Sequence, residues 1–167
     1  MHIDKFVTGG PEKAKLVRSD GKKKRTLIIV EVGPGSKTGC VYWRKIADFM
    51  KDTLYQIIAE IVSIDAKVVT DKYPSYAQLK EQFPKAKPRK SNTGKGFLIL
   101  HQPIMKRKGW LSGIHHQCSD QPYQKYINEY CFRTIGRNTE RLIFRNIMLR
   151  VVSIKTKTFN KLSADAA

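Results

Sequence analysis

Residues 65–76 read DAKVVTDKYPSY: a short β-branched run, Val68-Val69-Thr70, stops on the carboxylate of Asp71 and then breaks at Pro74. Such a run favours a pleated, half-buried strand, so a charge at its end needs a reason. Asp71 is either a turn residue or helix N-cap, or the end of a central strand delivering an acid to an active site. The surrounding chain bears on the choice.

Immediately upstream, KIADFMKDTLYQIIAEIV (residues 45–62) has helical periodicity, with Ile46, Phe49, Met50, Leu54, Ile57, Ile58 and Ile61 on one stripe. A nearly continuous apolar run directly after a long helix predicts a strand buried on both faces, the parallel kind. Further upstream, MHIDKFVTGG predicts a strand over His2–Val7 closed by a Gly-Gly turn. TLIIVEV (Thr26–Val32) and CVYW (residues 40–43) flank the turn-like GPGSKTG, making a hairpin. YAQLKEQF (residues 76–83) predicts a short helix. The C-terminal third is helical in pattern. Ser119 or Asp120 is a candidate N-cap and Pro122 a first-turn residue. Tyr123, Tyr126, Ile127 and Tyr130 share one side there, and Lys125, Glu129 and Arg133 are spaced for ion pairs on the other. A last amphipathic helix carries Arg141, Arg145 and Arg150 along its rim. The expected organisation is one domain over residues 1–152 and a polar tail over 153–167.

Three antiparallel strands followed by a right-handed crossover place the fourth strand beside the first and parallel to it. His2-Ile3-Asp4 and Val69-Thr70-Asp71 are then neighbours. The expected fold is α/β with a ribonuclease H-like mixed sheet, three antiparallel strands plus a parallel one, flanked by helices. Two carboxylates brought together repel unless something neutralises them. A hard divalent cation, Mg²⁺ or Mn²⁺, suits oxygen-only ligation, and paired ions of this kind can hold both oxygens of an in-line phosphodiester displacement. Asp4 and Asp71 are therefore the candidate catalytic and metal-binding pair.

The 167 residues suit one domain with a proper core, and 41% hydrophobic content is globular. Thirty-two Lys+Arg against 14 Asp+Glu give a formal charge of +18, which favours polyanions, above all nucleic acid. No long uncharged apolar run or signal sequence argues for a membrane; the expected location is cytoplasmic and nucleoid-associated. Cys40, Cys118 and Cys131 form no CxxC pair, and an odd thiol count fits a reducing compartment. HHQC (residues 115–118) matches no common structural-zinc spacing and reads better as a helix-loop junction. PKAKPRKSNTGKGF (residues 84–97) holds Lys85, Lys87, Arg89, Lys90 and Lys95 without an acid. It is either a solvated loop or a strip that contacts phosphates.

Four motifs then fall in order. HIDKFVTGGPEK with RSDGKKKRTLIIVEV, KVVTDKYPSYAQLKEQFP, HQPIMKRKGWLSGIHHQCS and YQKYINEYCFRTIGRN resemble successive segments of the catalytic domain of ISXO-like insertion-sequence transposases. The resemblance runs from about His2 to Val152. It implies a ribonuclease H-like, DDE-type transposase that cuts and joins DNA with Mg²⁺ or Mn²⁺, with transposon ends and target DNA as partners and self-association left open. Asp4 and Asp71 correspond to the first two catalytic ligands. The sequence also departs from the pattern. Lys106 stands at the third catalytic position, where the family has Asn or Glu, and an ammonium cannot coordinate Mg²⁺. Lys5 replaces the Glu that commonly follows the first aspartate, and Ile135-Gly136 interrupts the expected Asn-Arg pair before Arg137-Asn138. With its start immediately before the first catalytic strand, the chain is expected to lack the family's amino-terminal zinc-ribbon and DNA-reading portion. The expectation is a truncated, partly degenerate copy that does not transpose unaided.

A DNA track would involve Lys87, Arg89, Lys90, Lys95, Lys106, Arg107, Lys108, His115, His116, Arg133 and Arg137, with Trp110 either stacking on a nucleotide or lying in the core. Three functions follow: a DDE transposase domain, a non-catalytic basic nucleic-acid-binding module derived from that fold, and a metal-dependent nuclease unconnected with transposition.

Overall fold

The structure, a computed structural model, describes residues 1–9, 23–90, 97–114, 122–136 and 140–154. Residues 1–116 form one compact unit and 117–167 another. The first is built on a five-stranded sheet in the order β3-β2-β1-β4-β5. Its strands are β1 (His2–Thr8), β2 (Lys24–Val32), β3 (Thr38–Lys45), β4 (Val69–Thr70) and β5 (Lys87–Pro88). β1, β2 and β3 pair antiparallel, while β1–β4 and β4–β5 are parallel. The ribonuclease H-like mixed sheet expected from the sequence is therefore present, with one parallel strand more than expected.

Period-two alternation sorts the residues between the two faces. On one face Ile3, Leu27 and Ile29 form a core with Leu54, Tyr55 and Ile58 of α1 (Lys51–Ile61) and with Tyr76, Leu79 and Phe83. On the other, register aligns Asp4, Ile28 and Trp43. That face meets α3 (Leu98–Ile114), whose Leu100, Ile104, Arg107 and Leu111 are buried at helical spacing. Between α1 and α3 along the chain comes the short α2 (Leu79–Gln82), preceded by a 3-10 turn at Pro74–Tyr76.

Several elements depart from expectation: β1, β2 and β3 run one or two residues longer at one or both ends, and four others differ more. The helix begins at Lys51 rather than Lys45, because β3 runs on to Lys45 and the Ile46 N–H still donates to the Arg25 carbonyl (3.1 Å). Apolar spacing over residues 46–50 therefore serves the end of the sheet and a turn, in which Asp48 Oδ1 accepts the Met50 N–H. β4 is only two residues long, shorter than its apolar run suggested. The expected helix over residues 76–83 is split into the 3-10 turn and α2. β5, within the segment read as loop or phosphate strip, has no hydrophobic signature. It forms because Lys87 and Arg89 N–H groups satisfy the Val68 and Thr70 carbonyls (2.8 Å each).

The second unit contains α4 (Tyr123–Gly136) and α5 (Glu140–Ser153). Tyr123, Ile127 and Tyr130 are buried along one side of α4. The expected ion pair joins Arg133 Nη2 to Glu129 Oε1 at 2.8 Å. Among the described residues no helix is long and apolar enough to cross a membrane.

Candidate site at the ends of the parallel strands

Register builds the site. His2 faces Val69 and Val69 faces Lys87; Ile3 faces Thr70 and Thr70 faces Pro88. One step further along the three parallel strands come Asp4, Asp71 and Arg89. The two acids that the sequence singled out thus leave neighbouring strands at one end of the sheet, with a guanidinium-bearing residue next in the row. A hydrogen bond from Val69 N–H to the Met1 carbonyl (2.8 Å) pins the pairing.

The acids feel each other. Burial, first of all, holds the Asp4 carboxyl above the usual carboxylate range, and the Asp71 charge pushes the same way; the Lys5 N–H and ammonium and His101 oppose the shift. Asp4 Oδ1 accepts the Lys5 N–H at 2.7 Å, and Asp71 Oδ1 accepts the Tyr73 N–H at 3.2 Å. Lys5 reaches across to Asp71, with Nζ 3.4 Å from Oδ2 and its side chain only 9% exposed. That Nζ also lies 3.4 Å from the Tyr73 ring centroid and 5.0 Å from that of Tyr76. Burial lowers the Lys5 pKa, while Asp71 and Asp4 raise it. Burial, reinforced by the charges of Asp4 and Asp71, pushes the Tyr76 phenol well above its ordinary value.

A divalent ion between the aspartates would want oxygen donors around it. Here one Asp71 oxygen faces an ammonium and the other a backbone N–H. Among the described residues no group of three or more His, Cys, Asp or Glu side chains is placed to hold a metal ion. As arranged, these residues do not fit a divalent cation.

The remaining candidates separate. Lys106 is exposed on α3. It lies five residues, about 140° of helical rotation, from His101, the α3 side chain whose charge Asp4 senses. Arg107 does not face solvent. It is 1% exposed, donates to Thr8 Oγ1 at 3.1 Å and lies 5.1 Å and 5.5 Å from the Trp43 and Phe6 rings, so it ties α3 to the sheet. Lys108 is half-buried, 5.3 Å from the Phe6 ring, and burial followed by the Arg107 charge lowers its pKa. Trp110 is half-buried, and Lys87, Arg89 and Lys90 are exposed. Arg133 is exposed in the second unit and paired with Glu129. Lys95, His115, His116 and Arg137 lie outside the described residues. Three site members escaped the sequence reading: Tyr73, Tyr76 and His101. Lys5 was noticed only as a departure from pattern. Two tyrosines within five residues of an acid were the available signal, since aromatic faces attract a partly buried cation.

Strand order, acids on adjoining parallel strand ends and helices over both faces together define a ribonuclease H-like fold, the class that includes DDE transposase domains. Within that class, the model of the ISXO2-like transposase domain matches residues 2–134, and the chain belongs to that family. A comparison with curated proteins returned no match.

Proposed function

We propose that this chain engages transposon-end and target DNA as an insertion-sequence transposase domain in which the architecture of the cleavage site is retained while its acid pair is neutralised from within. The observation that carries the reading is the row Asp4, Asp71, Arg89 across three parallel strands. It sets the exposed cations Lys87, Arg89 and Lys90 beside the acids, where a phosphate backbone led to the site would pass. The formal charge of +18 supplies the wider attraction. Family membership supports transposition as the setting; the basic strip and the acid pair support DNA as what is bound.

Affinity for duplex DNA, measured by fluorescence anisotropy across a salt series, tests this. Each phosphate neutralised contributes about −0.9 to the slope of log affinity against log salt. Replacing Lys87, Arg89 and Lys90 together by Ala should flatten that slope by about two to three units. A slope unchanged by the triple substitution would remove the strip from the interface.

A second reading, metal-dependent cutting and joining, rests on the same juxtaposition of Asp4 and Asp71. Its test is Lys106→Asn or Lys106→Glu. With Lys106 exposed and rotated away from the acids, neither variant is expected to nick supercoiled plasmid with Mn²⁺ above the parent, and a gain from either would favour the second reading.

A further inference from the structure

Lys5 sits where the site's charges converge. Its ammonium is 3.4 Å from Asp71 Oδ2 and 3.4 Å from the Tyr73 centroid, with the Tyr76 ring 5.0 Å away. Its own backbone N–H meanwhile holds Asp4 Oδ1. We propose that Lys5 is the resident cation of the acid cup, taking the place of a divalent ion and closing the site to metal. The inference rests on reading Asp4 and Asp71 as the site's acid pair.

Three features set this contact apart from an ordinary surface pair, which contributes little. The Lys5 side chain is 9% exposed, so its charge is largely desolvated and depends on its partners. Those partners belong to a different part of the chain, the segment from Asp71 to Tyr76, so the contact joins β1 to the end of β4. The aromatic faces add a cation-specific attraction that a neutral side chain would not share. A divalent ion entering the cup would meet a like charge at contact distance and lose an oxygen of Asp71 to it. The acid pair is thus balanced without a metal, and the domain can approach DNA phosphates without two bare carboxylates repelling them.

Mn²⁺ binding to the full chain, followed by electron paramagnetic resonance of the free ion, tests the proposal. Lys5→Met keeps an unbranched chain against the two rings and removes the charge; Lys5→Gln is a second neutral replacement should the first fold poorly; Lys5→Arg keeps the cation. The neutral variants should bind Mn²⁺ at least about tenfold more tightly than the parent, because a like charge has left contact distance. Lys5→Arg should match the parent, and adding Asp71→Asn to a neutral variant should abolish the gain. Equal affinity in the parent and both neutral variants overturns the proposal, as does a gain that survives Asp71→Asn. DNA affinity on the same proteins keeps the two readings apart. Absent DNA binding by the parent defeats the proposed function, whereas intact DNA binding without any metal gain defeats only the role of Lys5.

Discussion

Tyr76 carries its hydroxyl to a place where no described protein atom pairs with it, and it does so 3% exposed. The ring is retained for packing and for the Lys5 cation, while the oxygen has little to recommend it. A buried hydroxyl without a partner costs free energy, so Tyr76→Phe should leave the melting temperature unchanged or raise it. The pH dependence has a definite sign. The folded-state pKa of this phenol lies above its ordinary value of 10.0. Below pH 10 both states keep the proton and stability is unaffected; above it the unfolded chain loses the proton first and stability falls. The advantage of Tyr76→Phe over the parent should therefore widen as pH is taken above 10, measured by urea denaturation. An advantage that shrinks over that range would contradict burial of the phenol.

At the scale of elements, the site depends on a strand of two residues. β4 contributes only Val69 and Thr70, yet it lies between β1 and β5 and sets the register of both acids. Its support comes from outside the strand: Val68 is fully buried and packs in the same core as Leu54 and Ile58 of α1. Val69→Pro removes the N–H that bonds Met1 and introduces a ring in the middle of the sheet. It should abolish cooperative thermal unfolding by circular dichroism, whereas Val69→Ile should be tolerated. Leu54→Ala, in the supporting helix, should cost about 2–5 kcal/mol by cavity formation. The same elements show what was legible. β2 could be read because Leu27 to Val30 are uniformly apolar and all buried. The acid pair could be read because crossover handedness leaves few places for a strand after a helix. β5 could not, since Lys-Pro offers no apolar pattern and pairs only to satisfy β4. Nor could α3 be read, because Pro103 interrupts it and a buried Arg107 imitates a solvent-facing charge. Lys5 shows the same limit in the site: the sequence gives its place after Asp4, but only folding brings Asp71, Tyr73 and Tyr76 around it.

For the molecule as a whole, the order of strands matters as much as the charge. The central strand, β1, is made of the first residues of the sequence, while its parallel neighbour lies beyond the whole of α1. β1 can zip onto β2 as soon as both exist, but its other edge stays bare until Val69 and Thr70 follow. A polypeptide stopped at Lys67 should therefore pellet on refolding, because an unpaired strand edge invites other chains, while one ending at Lys90 should pellet less; sedimentation of both measures the difference.

On a ribosome the same geometry sets a timetable. β1 emerges before β4 and waits through some sixty further codons, several seconds at ordinary elongation rates of about 5–20 residues per second, before its lateral partner appears. During that interval a chaperone that shields β-edges would have its greatest effect, and slow synthesis of α1 would be most harmful.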